Sequence, residues 1–313
     1  MRILLALLFV GVVHAQEYPT KTIRIIIPLT PGSGADIAGR IVAARMSEHW
    51  KQPVVVENRP GAGGQIGTAA VIKSEADGYT LLVQSSSHAA NPAIYKSLPY
   101  DPLKDMVDVA ILGKTPYVMV TAANGPYKNL KSLIEAARAK PGELPFASAG
   151  IGTSTHLAGA YFALKTGIDI VHVPYRGGGA TINDLLGGHI KVAFLSLSTA
   201  VPHLTTGKIK LLAVVEKARY QAMPDVPTIG ETVPGFEMSS WHGIFAPAAT
   251  PAPLIARLNA AIRNVLTTEA VKEKLGVLGV AVATSTPEQL ADIVKTGLTA
   301  RGELVKAANI QPE

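Results

Sequence analysis

Residues 23–40, IRIIIPLTPGSGADIAGR, limit what this chain can fold into more than any other stretch. Ile23, Ile25, Ile26 and Ile27 form a β-branched run that Pro28 stops, which reads as a short buried strand. Thr30-Pro31-Gly32-Ser33-Gly34 follows as a small-residue loop. Ile37, Ile41 and Ala44 then recur at spacings of four and three, the mark of a helix. A strand that feeds a glycine-bearing loop and opens a helix leaves free backbone N–H groups and the positive end of a helix dipole aimed at one spot. That spot suits an anion. The same residues also read as a plain helix cap, since Ser33 and Asp36 have capping-box spacing. The two readings are compatible if Asp36 caps and turns away. Gly34 is expected to lie at the surface and to tolerate even an aspartate without harm to folding.

The motif then multiplies. Residues 53–57 read as a second strand, 58–64 as a turn-rich loop holding Gly61, Gly63 and Gly64, and 66–74 as a helix. Residues 79–84 are a third strand that runs into Ser85-Ser86-Ser87-His88. This β-α-β-α-β order predicts a mostly parallel sheet covered on both faces. A second set of similar size follows. It comprises strand 144–147, loop 148–154, helix 156–165, strand 170–173, loop 174–179, a helix through Leu186, and strands 190–195 and 209–215. Two extended stretches, near 113–121 and 239–247, bracket that set, and the C-terminal segment is helical. The expected architecture is α/β, with two lobes joined by two crossing strands. Lobe 1 comprises 16–118 plus 240–313, and lobe 2 comprises 119–239.

In open parallel sheets, ligands collect at the C-terminal ends of strands. Four such ends carry small or polar residues, two in each lobe. A ligand between the lobes would meet helix N-termini from both sides, a donor-rich environment that favours a carboxylate or phosphate. The glycines at 61–64 read as a turn or as part of that wall. His88 and His156 read as structural or as ligand-facing. Arg176 reads as paired with an anion or as solvated.

Composition narrows the partners. Twenty-nine Lys and Arg against 23 Asp and Glu give a net charge of +6, which favours anionic partners in general. The charge is dispersed and aromatics are only 5%, so nucleic acid is not an expected partner. No cysteine is present, so neither disulfides nor thiol chemistry operate. PGSGAD is not GxGxxG, no GxxxxGK[ST] occurs, and no His/Asp/Glu cluster has metal spacing, so no cofactor and no metal are expected. Ser154 and His156 do not face one another on a helix, and GxSxG is absent, so no catalytic residue is expected. At the start, Arg2, the apolar block 3–13 and the small-residue end Val13-His14-Ala15 read as a signal peptide, residues 1–15, that exports the chain to the periplasm. The alternative, a membrane anchor, needs roughly 20 apolar residues.

These motifs resemble a known family, the receptors of tripartite tricarboxylate transporters, also called Bug or TctC-like proteins. The resemblance runs from about Tyr18 to the C-terminus. It rests on YPTKTIRIIIPLTPGSGAD, VVVENRPGAGGQIG, DGYTLL, LPYDPLKD, GTSTHLAG, VPYRGGGATINDLLGG, MPDVPTIGE and WHGIFAPAATP in that order. It implies a two-lobe fold like that of type II periplasmic binding proteins, with one small carboxylate in the cleft. It also implies that the loop of Thr30, Gly32, Ser33 and Gly34 grips one carboxylate. Ser85, Ser86 and Ser87, with Gly152, Thr153, Ser154 and His156, would complete the site, and Tyr175 and Arg176 join it at the fourth strand end. One departure is Ser33, where the family has a second adjacent glycine; it adds a hydroxyl donor or narrows the pocket. The expected function is that of an exported, monomeric, non-enzymatic receptor that delivers a small carboxylate to membrane transporter subunits. The rivals are a sensor subunit for a membrane signalling protein and an exported hydrolase.

Overall fold

The computed structural model describes residues 18–311, so the expected signal peptide lies outside the described residues. The chain begins with β1 (Ile23–Ile27), α1 (Gly34–Trp50), β2 (Val54–Asn58), α2 (Gln65–Ile72), β3 (Thr80–Ser85), α3 (Asn91–Ile94) and β4 (Met106–Gly113). It crosses at residues 114–116 into β5 (Tyr117–Ala122), α4 (Leu130–Ala139), β6 (Leu144–Ser148), α5 (Ser154–Thr166), β7 (Ile170–Pro174), α6 (Gly178–Leu186), β8 (Val192–Ser196), α7 (Leu197–Thr205), β9 (Ile209–Val214) and α8 (Ile229–Thr232). It returns with β10 (His242–Pro247) and ends in α9 (Ala252–Leu266), α10 (Glu269–Val277) and α11 (Pro287–Ala307).

Two five-stranded sheets result, ordered β2-β1-β3-β10-β4 and β7-β6-β8-β5-β9. Adding five to each strand number of the first, with β10 wrapping to β5, reproduces the second. In both sheets the first three strands are parallel and the fourth runs antiparallel to its neighbours. The fourth strand is in each case the one that has just crossed from the other half. The duplicated β-α-β pattern in the sequence is therefore a duplicated lobe, and the extended stretches beside Thr115 and Ser240 are the crossings.

The apolar run of β1 follows from this layering. A strand covered on both faces has no polar side to show. Ile23, Ile25 and Ile27 pack with α1, α9 and α10, whereas Ile26 packs on the other face with Val71 of α2 and Leu290 and Val294 of α11. Each fully buried isoleucine contributes about 1.5–3 kcal/mol over an exposed one. Arg24 alone faces solvent, paired with Glu57 at 2.8 Å. In the second sheet Phe146 and Phe194 pack beneath α4 and α5, while Ala147 and Leu195 face α6 and α7. The end of α11 and the residues after it reach across the halves, since Leu304, Val305 and Ile310 join the core of the second sheet.

One expectation needs correction. The sequence reads as passing straight from the strand ending near Leu195 to the strand at Ile209, but α7 lies between them. Pro202 lies inside this helix. Proline removes one backbone hydrogen bond, and here that loss falls within a turn of the helix end, while Leu197 and Ala200 are buried. Among the described residues no helix is long and apolar enough to cross a membrane.

Candidate functional site

The cleft between the sheets holds a cavity of about 630 Å³, comparable to small-molecule sites. It lies at the C-terminal ends of β1, β3, β6, β7 and β8, and four of the described helices place first-turn residues on its wall.

The first is α1. Ser33 caps it, its hydroxyl accepting Asp36 N–H at 3.3 Å. Gly34 and Ala35, both on the cavity wall, are first-turn residues whose N–H groups have no acceptor within the helix. Asp36 is buried and turned away, as the capping reading requires. Its carboxylate accepts Gly32 N–H at 2.9 Å, Asn58 Nδ2 at 2.8 Å and Arg40 Nε at 3.0 Å. The negative charge is neutralised outside the cleft. Gly32 is thereby committed to Asp36 and does not line the cavity, whereas Thr30, Ser33 and Gly34 do.

Gly34 is buried, not superficial. A Cβ there would stand 2.6 Å from both His242 Nε2 and Thr115 Oγ1, which are themselves joined at 2.8 Å. The first turn of α1 is seated directly on the two crossing segments, and the bare backbone of Gly34 allows it. The expectation that Gly34 accepts aspartate without harm to folding is therefore wrong, because any side chain there displaces the crossing.

The second terminus is α5. Thr153 caps it, accepting His156 N–H at 3.3 Å, and Thr153, Ser154 and Thr155 line the cavity. Gly152 does not; it packs against the Tyr95 ring, and a Cβ there would come within 2.9 Å of the tyrosine hydroxyl. His156 does not line the cavity either. It is 7% exposed and stacks on His172 with ring centroids 4.0 Å apart. Burial pushes its imidazole down to about 4, so it is neutral near pH 7.

The third is α6, where Tyr175, Arg176, Gly177 and Gly178 reach the wall. Gly177 has φ +106°, and a side chain there would run into Thr30 across the cleft. The Tyr175 hydroxyl donates to Asp184 at 2.6 Å; burial and that carboxylate push it up to about 12. Arg176 is exposed at the rim and makes no hydrogen bond or ion pair with another described residue. The fourth is α7, contributing Ser196 and Thr199, which were hidden with that helix. Ser85 and Ser87, their hydroxyls 2.7 Å apart, line the wall beside β3. Ser86 sits behind them, bonded to the Ser154 hydroxyl at 3.0 Å.

Sequence reasoning also missed Tyr95, Tyr117 and His242 in the wall. No local pattern marks them. His242 faces the cleft because β10 pairs it with Ser85 and Gly113. Pro60 to Gly64 belong to the wall as well as to a turn. Among the described residues the wall contains no aspartate, glutamate or lysine and a single arginine, so it carries one positive and no negative side-chain charge beside its N–H and hydroxyl donors. Such a surface favours an anion whose oxygens can accept several N–H and O–H groups at once.

The comparisons with known proteins agree. Residues 38–310 match the model of the tripartite tricarboxylate transporter family receptor. The chain is 38% identical over 280 residues to BugT of Bordetella pertussis, which covers 88% of this chain and 86% of that protein. It is similar to a Rhodopseudomonas palustris protein solved with adipate, at TM-score 0.91 and 31% identity, covering 95% of this chain and 100% of that one. It is also similar to MatC of Rhodopseudomonas palustris, solved with bound malate, at TM-score 0.85 and 31% identity, covering 92% and 100%. A binding cleft walled by helix N-termini in a duplicated α/β frame, with a family match over most of its length, places this chain in the tripartite tricarboxylate transporter receptor family.

Proposed function

We propose that this chain is an exported receptor that captures a small carboxylate between two lobes, 16–118 plus 240–313 and 119–239, and hands it to membrane transporter subunits. The observation that carries the reading is the cavity, lined by no carboxylate among the described residues, onto which α1, α5, α6 and α7 all open. The adipate and malate in the two similar structures support the carboxylate class. In this reading the free N–H groups of Gly34 and Ala35 hold one carboxylate, Ser85, Ser87, Thr153 and Ser154 supply hydroxyls, and Arg176 closes the rim.

Binding rather than turnover fits the side chains. The hydrogen bond between Ser148 and His172 lies beneath the cleft, and Ser148 is fully buried, so it presents no nucleophile to a ligand.

A thermal-shift screen of carboxylates, with adipate and malate among them, tests the reading. A ligand at 100 times its Kd adds ~2.7 kcal/mol of stability. At least one small carboxylate should raise the melting temperature; a screen in which none does would discard the receptor function. Export predicts removal of Met1 to Ala15, and intact mass of periplasmic protein should begin at Gln16. A full-length mass from the membrane fraction would contradict it.

A further inference from the structure

Ser148, at the end of β6, anchors both cleft loops of the second lobe without lining the cavity. Its carbonyl accepts Tyr175 N–H at 3.1 Å and the Thr181 hydroxyl at 3.0 Å. Its hydroxyl accepts Gly150 N–H at 3.1 Å and meets His172 Nε2 at 2.7 Å. Gly177 N–H, donating to the Ala149 carbonyl at 3.1 Å, ties the two loops together. The loop that carries Thr153 thus meets the Ser148 hydroxyl and is held besides by Ala149 N–H donating to the Thr155 hydroxyl at 3.0 Å, while the loop that carries Tyr175 and Arg176 meets the Ser148 carbonyl.

The hydroxyl has one proton to give. The Gly150 carbonyl, 3.3 Å away, already accepts the Thr153 hydroxyl at 2.6 Å. His172 Nε2 is nearer, at 2.7 Å, and a neutral ring with its proton on Nδ1 accepts there, which leaves an oxygen lone pair for Gly150 N–H. Burial and the neighbouring His156 both disfavour a charged ring, pushing it down to about 3. The stacked His156 lies in the first turn of α5, and Gly159, one turn further on, has no Cβ to keep Phe146 from that helix. The ring pair thus also seats the helix whose N-terminus faces the cleft.

We infer that His172 is a positioning residue for ligand capture: as a neutral acceptor it orients the Ser148 hydroxyl, and through it the loop 149–153, to which Gly177 N–H ties the neighbouring loop. The inference rests on the cleft being the carboxylate site.

Three variants test it. His172→Phe keeps a stacking ring but no acceptor, His172→Gln restores an acceptor near the Nε2 position, and Ser148→Ala removes the hydroxyl. Without ligand, amide hydrogen exchange at Gly150 should quicken by about tenfold in the Phe and Ala variants and stay within about threefold in the Gln variant. With adipate as the probe, calorimetry should show about tenfold weaker binding for His172→Phe, near-native binding for His172→Gln, and a Ser148→Ala/His172→Phe double variant no weaker than Ser148→Ala. Unchanged exchange at Gly150 in His172→Phe, or equal damage from Phe and Gln, would overturn the inference. So would a nitrogen-15 spectrum of the native protein showing a proton on His172 Nε2 at pH 7. If native protein bound no carboxylate, the receptor reading would fall, while the exchange and nitrogen-15 measurements, needing no ligand, would still decide the role of His172.

Discussion

Arg176 and Asp36 show how much a single residue's facing decides. Both are charged and both sit beside a cleft loop. Asp36 is buried against Arg40 and Asn58, so its charge is spent inside the first lobe. Arg176 stands at the rim with no hydrogen-bond or ion-pair partner among the described residues. A guanidinium with free donors can form a charge-assisted bond to a carboxylate, worth ~1.5–3 kcal/mol. Arg176→Ala should therefore weaken carboxylate binding by about that amount. It should leave the ligand-free melting temperature nearly unchanged, because no hydrogen bond or ion pair among the described residues is lost. Calorimetry beside a melting curve checks both halves; native affinity in the variant would place the guanidinium outside the contact.

At the scale of elements, the crossing segments carry the most tightly organised polar chemistry. The Ser240 hydroxyl donates to the Thr115 carbonyl, joining one crossing to the other. Ser240 N–H donates to Glu216 Oε1 at 3.3 Å, just beyond β9. Burial pushes Glu216 up to about 7, a rise that Ser240, Lys114 and Arg301 offset in part. A carboxyl whose folded pKa exceeds its unfolded one binds extra protons when folded, so its contribution to stability falls as pH rises from about 4.5 to about 7. The histidines oppose it: His88, His156 and His242 are each pushed down to about 4 by burial, and their contribution is lost as pH falls below about 6.5. The two effects separate by subtraction. The stability of native protein minus that of Glu216→Gln, from urea melts at a series of pH values, should decline between pH 4.5 and 7 by at most ~3 kcal/mol and then level off. A flat difference would show that Glu216 is hydrated in the fold.

Over the whole molecule, the two halves touch across the cleft. The Ser86 and Ser154 hydroxyls are 3.0 Å apart, the Tyr95 hydroxyl lies 3.4 Å from the Ile151 carbonyl, and Thr30 abuts Gly177. Two lobes on two crossings can rotate about them, and a ligand that bridges the lobes favours the closed form. Small-angle scattering should report a smaller radius of gyration at ligand saturation than without ligand. The same radius in both conditions would mean that the lobes are fixed in the closed arrangement.

What the chain's order alone determined was local. A β-branched run, a glycine-bearing loop and a helix start are written within fewer than 20 consecutive residues, so β1, α1 and their repeats were legible. So was the chemistry of their junctions, because orphan N–H groups follow from a helix beginning at all. The sequence therefore marked the helix starts whose N–H groups suit an anion, and Thr30, Ser33, Ser85, Thr153 and Arg176 beside them all line the cavity. Which residues face the cavity was decided only by tertiary structure. His156 and Ser154 share a helix turn, yet one stacks inward on His172 and the other meets the cleft, because packing on β6 sets the rotation of α5. Gly34 looks like a surface loop residue until His242 and Thr115, themselves 127 residues apart, close over it. Local physics chooses the elements, but the facing of a side chain depends on contacts between residues far apart in the chain, and no short stretch records those.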